Sequence, residues 1–174
     1  VMNRLYRAAG CRIVPVKKIL FVCTGNTCRS FMAEYIFKRI LRDKIEEGVL
    51  EACALAVSSA GLYAENGQPG SDTACEVLRR EYDCDGSAHR ARLLTRDSAE
   101  NADLILTMTR GHKAALLQAC PELSSRVFTL TEFAVGDETA VDIDDPFRGS
   151  YDTYSLCAGK MYNALTCVYN KLLK

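Results

Sequence analysis

The sequence predicts an α/β fold: a single domain with a four-stranded parallel sheet and helices on both of its faces. A chain of 174 residues suits one domain with a hydrophobic core. Short apolar runs, typical of buried parallel strands, alternate with segments whose apolar residues recur at helical spacing. This alternation is typical of parallel strands joined by crossover helices in one sheet.

Four segments carry the strand pattern. The first is KKILFVC at 17–23, an apolar run that ends abruptly. ALAVSSAG at 54–61 is the second, DLILTMT at 103–109 is the third and RVFTL at 126–130 is the fourth. Ligands of open parallel sheets bind at the carboxyl ends of strands, so a ligand site is expected in the residues that follow the first strand.

Helical spacing appears after each predicted strand. Met32, Ile36 and Ile40 are four residues apart and indicate one face of a first helix. Residues 71–82 open with a capping serine and predict a second helix, and residues 112–120 predict a third. A long amphipathic helix closes the chain, with apolar positions at Tyr154, Ala158, Met161, Leu165, Val168 and Leu172.

Charge and hydropathy argue against two classes of partner. The chain has 22 Lys plus Arg and 22 Asp plus Glu, so its net charge is zero. Broad nucleic-acid binding needs a basic surface, which this balance does not supply. No apolar run approaches the roughly 18 residues that a membrane-spanning helix needs. We therefore expect a cytoplasmic monomer with no nucleic-acid or membrane partner.

The first residues differ in composition from the rest. Residues 1–18 hold five basic side chains and no acidic one, and they lack the long apolar core of a secretory signal. We interpret residues 1–17 as an N-terminal extension of unknown role and residues 18–174 as the folded domain.

The nine cysteines do not suggest a disulfide framework or a zinc site. Their number is odd and their spacing irregular. Seven are interpreted as buried, reduced side chains that pack as small hydrophobes. These seven are Cys11, Cys53, Cys75, Cys84, Cys120, Cys157 and Cys167. No CxxC motif pairs with a second one, so neither a metal nor a cofactor is predicted.

The stretch CTGNTCRS at 23–30 lies between the first strand and the first helix. Gly25 can adopt backbone angles that other residues avoid, and Asn26 tolerates the left-handed region. A tight loop of this kind turns successive N–H groups inward at a helix N-terminus, where they bind an anion. Arg29 adds a planar, always charged fork that suits phosphate oxygens. The sequence therefore predicts a phosphate-binding loop after the first strand.

Cys23 lies at the mouth of this predicted loop. The inward N–H groups and the helix dipole stabilise a thiolate, and Ser30 can donate a further hydrogen bond to the sulfur. A thiolate beneath a bound phosphoryl group is a nucleophile in line for attack. The predicted chemistry is phosphoryl transfer to Cys23, followed by hydrolysis of the phosphocysteine.

The leaving group of such a reaction must take up a proton. Candidates lie in DIDDPFRGS at 142–150, within a predicted extended loop. Asp145 is favoured because the proline after it biases it to an extended loop conformation near the strand ends. Asp142 and Asp144 are competitors that the sequence alone separates weakly.

Five ordered motifs resemble the low-molecular-weight protein tyrosine phosphatase family, over roughly residues 18–174. They are VCTGNTCRS at 22–30, SSAG at 58–61, HRAR at 89–92, NADLILTMT at 101–109 and DDPF at 144–147. The resemblance implies phosphorylated protein substrates, with Cys23 as nucleophile, Arg29 as phosphoryl ligand and Asp145 as general acid. The backbone donors it implies are Thr24, Gly25, Asn26, Thr27 and Cys28, and the residues that brace the loop are Asn26, Ser30 and His89.

Two positions depart from the usual pattern of this family. Phe31 replaces the proline that usually follows CRS, and we expect it to alter the rim of the pocket without loss of the chemistry. Thr27 replaces an isoleucine or leucine and is similar to the protein-arginine phosphatase branch, as are DPF and LTMTRGHK. A hydroxyl on this wall suits a guanidinium better than an apolar ring, and Phe147 and Tyr63 can flank the flat group. We therefore expect hydrolysis of phosphoarginine in proteins.

Three alternatives stay open. A phosphotyrosine phosphatase on the same scaffold is the nearest. A thioredoxin-coupled arsenate reductase shares the fold and loop, but it needs two redox cysteines after the third strand, where only Cys120 occurs. A non-catalytic phosphoprotein-binding module would need neither Cys23 nor Asp145. The resemblance also implies a reversible disulfide between Cys23 and Cys28, and hence a redox-sensitive enzyme.

Overall fold

A four-stranded sheet organises the structure, a computed structural model that describes residues 16–50 and 55–173. Its strands are β1 Lys18–Cys23, β2 Ala56–Gly61, β3 Leu104–Thr107 and β4 Val127–Thr129. They follow the order β2-β1-β3-β4, and all three pairings are parallel, which confirms the predicted sheet. Each strand is shorter than the apolar run that predicted it.

The register of the sheet brings the ends of three strands together. Cys23, the last residue of β1, pairs with Gly61, the last residue of β2. On the other side of β1, Val22 pairs with Thr107 at the end of β3. The segments that follow these three strands therefore emerge side by side, at the edge where ligands of parallel sheets bind.

Six helices cover the two faces of the sheet within the described residues, as predicted. They are α1 Arg29–Glu46, α2 Asp72–Tyr82, α3 Arg96–Glu100, α4 Arg110–Ala119, α5 Leu130–Val135 and α6 Tyr151–Leu173. Alternate side chains of a strand point to opposite faces. Ile19 and Phe21 pack with α1, α2, α5 and α6, whereas Leu20 and Val22 pack with α3 and α4.

Two short helices were not predicted. α3 follows Thr95, whose hydroxyl accepts from the Ser98 N–H while the Ser98 side chain bonds back to the Thr95 backbone. α5 begins where the fourth strand was expected to continue, and Thr129 and Glu132 form the same reciprocal cap. Such capping boxes satisfy the free N–H groups of a first turn, so helices too short to show periodicity still form.

Burial confirms most expectations for the core. All six apolar positions predicted for the last helix are buried. Cys120 and Cys157 are buried, and Cys75 and Cys84 are partly buried. The prediction is wrong for Cys167, which is exposed because it lies on the solvent side of α6. Cys11 and Cys53 lie outside the described residues.

The expected N-terminal extension, residues 1–17, lies outside the described residues except for its last two positions. Within the described part of the chain, no helix is both long and apolar enough to cross a membrane.

Candidate active site

The β1–α1 loop, residues 24–28, joins strand β1 to helix α1. Cys23 ends the strand and Arg29 begins the helix, and both are almost fully buried. Cys28, the N-cap residue, makes no side-chain cap. The first-turn N–H groups of an 18-residue helix therefore point into this site without a side-chain acceptor, as anion binding requires.

The Cys23 sulfur has two polar neighbours. The Asn26 N–H donates to Sγ over 3.3 Å. The Ser30 hydroxyl lies 2.9 Å from Sγ, which matches the hydrogen bond expected from the sequence. The Asn26 N–H thus points at the sulfur, and the Ser30 hydroxyl lies within hydrogen-bond distance of it.

Asn26 holds the loop in shape from within. Its φ of 56° lies in the left-handed region, as predicted, and its side chain is fully buried. The amide nitrogen donates to Ser30 Oγ over 2.9 Å and to Ser59 Oγ over 2.8 Å. The amide oxygen accepts from the Arg92 N–H over 2.9 Å. Every polar atom of the side chain is thus paired, which fixes its orientation.

A buried carboxylate sets the direction of these hydrogen bonds. The Ser59 hydroxyl donates to Glu34, which is buried and also contacts Lys38. Because the Ser59 hydroxyl donates its proton to Glu34, the Ser59 oxygen can only accept from the Asn26 amide. Ser30 likewise accepts from Asn26, which leaves its own proton for the Cys23 sulfur or for the Ala60 carbonyl at 3.3 Å.

Sequence reasoning missed Glu34 and did not assign a role to Ser59. SSAG was singled out as a motif, and its second serine is the one that contacts Asn26. Glu34 gave no signal, because an acidic residue on an amphipathic helix normally faces water.

His89 hydrogen-bonds to the β1–α1 loop, and Phe31 packs on the His89 ring. His89 Nε2 lies 2.7 Å from the Asn26 carbonyl, which only accepts, so this nitrogen carries the proton. Burial lowers the pKa of His89 and keeps the ring neutral. Phe31 stacks on this ring, with centroids 4.1 Å apart. The expectation that Phe31 alters the pocket rim is wrong, because its side chain is wholly buried in the core.

Phe31 fits there because two glycines leave room for its ring. A Cβ on Gly70 would lie 2.4 Å from Phe31 Cε1, and a Cβ on Gly86 would lie 2.6 Å from Cζ. Real Cβ atoms do not approach so closely, so the aromatic residue and the two glycines belong together.

Gly25 was predicted for its backbone freedom, but the strict glycine of this site is Gly61. Gly25 has no positive φ, and a Cβ there would meet only Thr27 Oγ1, at 3.8 Å. A Cβ on Gly61 would lie 2.6 Å from the Thr24 carbonyl and 2.8 Å from the Asn26 nitrogen. The β1–α1 loop therefore packs directly on the backbone of β2, where no side chain fits.

The structure separates the three acidic candidates. Asp145 Oδ2 lies 2.8 Å from Arg29 Nη2, so this carboxylate faces the site. Asp142 accepts from the Arg110 N–H and lies 3.6 Å from its guanidinium. Asp144 pairs with Lys160 at 2.9 Å, and this hydrogen bond lowers its pKa. Of the three, only Asp145 contacts Arg29.

A second histidine, which sequence reasoning did not assign, lies on the opposite side of the β1–α1 loop. His112 Nε2 is 2.9 Å from Thr24 Oγ1. Its Nδ1 is buried without a partner, which costs less for an acceptor than for an N–H, so Nε2 is the donor. Burial and the nearby Arg29 lower the pKa of His112 to about 4. The signal was available in LTMTRGHK, which was read only for branch resemblance.

Cys28 contacts the first turn of α6, and Thr27 contacts the N-cap residue of α2. Cys28 Sγ is 3.2 Å from Tyr154 Oη and 3.6 Å from Ser71 Oγ. Burial, with the Cys28 contact second, raises the pKa of Tyr154 to about 12. The Thr27 carbonyl accepts from the Ser71 N–H over 2.9 Å, and its hydroxyl lies 3.7 Å from Cys28 Sγ. Cys23 and Cys28 are both free thiols.

The two expected flanking aromatics are exposed and lie on separate segments. The Tyr63 N–H donates to the Thr24 carbonyl over 2.9 Å, and its ring is 76% exposed. The Phe147 N–H donates to Asp145 Oδ1 over 3.2 Å, and its ring is 60% exposed. Each is thus tied through its backbone to a site residue. No cluster of His, Cys, Asp and Glu within the described residues has the geometry of a metal site.

Known proteins are similar to this chain over most of its length. Residues 18–174 match the family described as low molecular weight phosphotyrosine protein phosphatase. The low molecular weight protein-tyrosine-phosphatase PtpB of Staphylococcus epidermidis is 40% identical over 146 residues, which cover 84% of this chain and 92% of that protein. The protein-arginine-phosphatase of Bacillus subtilis is 35% identical over 156 residues, or 90% of this chain and 97% of that protein.

A solved structure extends the likeness to the fold. It is described as a YwlE arginine phosphatase, a Cys-to-Ser mutant with phosphorylated active site serine. It superposes with a TM-score of 0.78 at 35% identity and covers 88% of this chain and 94% of that one.

Proposed function

The chain belongs to the low molecular weight phosphotyrosine protein phosphatase family, and we propose that it hydrolyses phosphoarginine in proteins through a phosphocysteine on Cys23. One observation carries the proposal: a buried thiol, a buried guanidinium and a half-exposed carboxylate converge on one uncapped helix N-terminus. These are a nucleophile, an anion ligand and a proton donor, the parts that phosphoryl transfer needs.

In the first step, the Cys23 thiolate attacks phosphorus and the P–N bond of the phosphorylated residue breaks. The leaving nitrogen takes a proton from Asp145, so a neutral side chain departs rather than an anion. Arg29 and the N–H groups at the start of α1 hold the three phosphoryl oxygens, where negative charge is concentrated.

The Arg29–Asp145 ion pair links binding to acid catalysis. An incoming phosphoryl group competes for the guanidinium fork that Asp145 now occupies at 2.8 Å. Once Arg29 turns to the phosphoryl oxygens, Asp145 loses its counterion and sits beside a dianion. Asp145 is then free to turn from Arg29 to the leaving nitrogen.

In the second step, water attacks the phosphocysteine and the S–P bond breaks. Asp145, now a carboxylate, accepts a proton from that water, and inorganic phosphate leaves. The thiolate is regenerated beside its donors, Ser30 and the Asn26 N–H. The relative whose active site serine is phosphorylated supports a covalent intermediate at this position of the fold.

Substrate choice is the finer part of the proposal. Relatives of similar identity are named tyrosine and arginine phosphatases, so overall identity does not decide between them. Thr27 supports arginine, because its hydroxyl suits guanidinium N–H groups while an aromatic leaving group prefers an aliphatic wall. Asp145 supports it as well, since its carboxylate can accept hydrogen bonds from guanidinium N–H groups and its protonated form can donate a proton to the leaving nitrogen. Phosphotyrosine is the second candidate, favoured by the PtpB relative.

The first test is phosphate release from phosphoarginine and phosphotyrosine peptides of one sequence, with Cys23→Ser as blank. A preference for phosphoarginine of at least tenfold in kcat/KM supports the assignment. A preference for phosphotyrosine keeps the mechanism but rejects the substrate. Acid-quenched enzyme carrying one phosphoryl group on the Cys23 peptide would exclude a module that only binds phosphoproteins.

Thr27 is tested next. Thr27→Ile replaces the hydroxyl with aliphatic surface and should shift the ratio of the two kcat/KM values toward phosphotyrosine by about tenfold, the worth of one polar contact. Thr27→Ser keeps the hydroxyl and is the matched control, with the ratio retained. An unchanged ratio in Thr27→Ile would contradict the role given to this side chain.

We also propose that Cys28 is the redox partner of Cys23. A peroxide that takes two electrons from Cys23 and Cys28 would leave a disulfide and no nucleophile, and added thiol would restore both. Under excess peroxide, Cys23 of the Cys28→Ser variant should oxidise past the sulfenic to the sulfinic acid and lose activity irreversibly, whereas the unmodified enzyme recovers with thiol. Equal recovery of the two would remove Cys28 from this role.

A further inference from the structure

Arg148 occupies a backbone conformation that arginine rarely adopts. Within the described residues, three non-glycine residues have positive φ: Asn26, Asp83 and Arg148. Asn and Asp tolerate this region through their short polar side chains, and Asp83 ends α2 as its left-handed cap. Arg148, at φ 60°, has no short polar side chain and does not cap a helix. Glycine at this position would relieve the strain, so the presence of an arginine needs a reason.

The guanidinium of Arg148 packs on an aromatic ring at the site. Its Cζ lies 5.2 Å from the centroid of the Phe147 ring, a cation–π distance. The Phe147 N–H donates to Asp145, which in turn pairs with Arg29. The turn is closed by the Gly149 N–H, which donates to the Pro146 carbonyl over 2.7 Å. A short, hydrogen-bonded turn thus connects this cation to the carboxylate proposed as the acid.

Arg148 differs from the other cations around the site in being unpaired. Arg29 pairs with Asp145, Arg110 with Asp142 and Lys160 with Asp144. In the described part of the chain, no carboxylate lies within ion-pair distance of Arg148, and its side chain is exposed. Asp142, Asp144 and Asp145 are therefore paired with other cations, and the charge of Arg148 is unpaired at the rim.

A charge in that place acts on the neighbours of the phosphorylated residue. A phosphoryl group held by Arg29 and the β1–α1 loop brings the adjoining side chains of its own chain to the rim. Charges interact there over the Debye length of about 8 Å at physiological salt. The guanidinium lies on the Phe147 ring, so it is positioned before any substrate arrives and loses little side-chain freedom on binding.

We propose that Arg148 is a specificity-determining residue that selects substrates carrying an acidic side chain next to the phosphorylated residue. The inference rests on the proposed phosphatase site, but not on which phosphorylated residue is cleaved. Stacking on Phe147 and retention of a strained backbone are the two observations that distinguish this arginine from an ordinary surface cation.

The test compares peptides that differ only at the residues flanking the phosphorylated one, which are Glu, Gln or Lys. The enzyme should prefer Glu over Gln by about three- to tenfold in kcat/KM at low salt, and the preference should shrink at high salt. Arg148→Gly, which relieves the strained φ, and Arg148→Asn, which tolerates it, should both bring the ratio to within about twofold of unity. Since each preference is a ratio within one variant, any general loss of activity cancels.

Lys18→Gln is the matched control. It removes one exposed positive charge from the start of β1, roughly 16 Å along the strand from Cys23, and should leave the ratio unchanged. An enzyme that does not distinguish Glu from Gln, or an Arg148→Gly variant that still does, overturns the inference. The series is run on phosphoarginine and phosphotyrosine peptides alike. The same flank preference on phosphotyrosine alone would uphold the role of Arg148 while the proposed substrate fails.

Discussion

Two segments meet at the site, and they are held in very different ways. The β1–α1 loop is held by a buried residue: Asn26 is completely enclosed and all its side-chain polar atoms are paired. The turn at residues 145–149 is exposed, and Asp145 keeps half of its side-chain surface in water. The first segment is fixed by Ser59, Gly61 and His89 from three directions. The turn contacts Arg29, next to the loop, through one ion pair, and Arg29 also donates to the Ile143 carbonyl just before the turn.

The difference corresponds to what each segment has to do. An anion site needs N–H groups aimed before the ligand arrives, because reorganising them during the reaction would cost catalysis. An acid must exchange partners, from Arg29 to the leaving group, and this is easier from an exposed turn. We therefore expect substitutions in the turn to change mainly activity, and substitutions that contact the β1–α1 loop from β2 to change mainly stability.

Within the turn, the largest effect on activity is expected from Asp145→Asn. The amide keeps the shape of the side chain but cannot donate the proton, so kcat should fall by about 10²- to 10⁴-fold. Stability should fall as well, because the buried Arg29 loses its counterion, so kcat is compared on folded protein. Asp144→Asn, one residue earlier and paired with Lys160, is the matched control and should retain kcat within about threefold. If the two variants lose activity equally, Asp145 is not the acid.

The largest effect on the fold is expected from Gly61→Ala. The added Cβ would meet the Thr24 carbonyl at 2.6 Å, and backbone atoms cannot swing aside as a side chain can. Overpacking of this kind costs about 2–3 kcal/mol and displaces the β1–α1 loop, so activity should fall with stability. Gly25→Ala is the control, with its nearest contact at 3.8 Å, and should change stability by less than about 1 kcal/mol. Chemical denaturation measures both; equal losses would mean that the loop does not depend on Gly61.

The same contrast explains what the sequence could predict. The four strands, the long helix α6 and the convergence of Cys23, Arg29 and Asp145 follow from apolar periodicity and from an ordered set of motifs. The roles of Glu34 and His112 did not, because a polar residue on a helix shows no sign of being buried until its neighbours are known. Gly25 and Gly61 were weighed wrongly for a related reason. A glycine in a loop suggests backbone freedom, whereas close approach between two segments is a tertiary fact.

A smaller effect, on stability, is expected at His112. Its pKa falls from 6.5 to about 4 on folding, chiefly by burial and then by Arg29, while Asp145 and Asp142 oppose the shift. Between these values the unfolded chain binds a proton that the folded protein excludes, so stability is lost as pH falls. The full shift corresponds to about 3 kcal/mol, which we roughly halve because the ring is only half-buried.

The expected loss from His112 alone is therefore about 1 kcal/mol between pH 7 and pH 5. His112→Gln keeps a donor for Thr24 but does not titrate, so denaturation midpoints of this variant should fall less over the same range. His89, whose pKa is also lowered, contributes in the same direction and stays in both proteins. Identical pH dependence in the two proteins would contradict the buried, neutral state of His112.

The smallest effect on Tm should come from loss of the exposed Lys160–Asp144 ion pair. It is compared with loss of the Lys38–Glu34 pair, whose carboxylate is buried. Lys160→Met breaks the contact to Asp144, but both side chains are exposed, so water replaces the lost partner and Tm should change by less than about 2 °C. Lys38→Met removes a similar charge from Glu34, whose buried carboxylate accepts from Ser59. Among the described residues, the one cation then left near this carboxylate is Arg92, at 3.8 Å. A buried carboxylate that loses its partner cannot recover it from water, and Tm should fall by about 4 °C or more. Equal shifts in calorimetry would show that the two regions do not differ in the way their burial indicates.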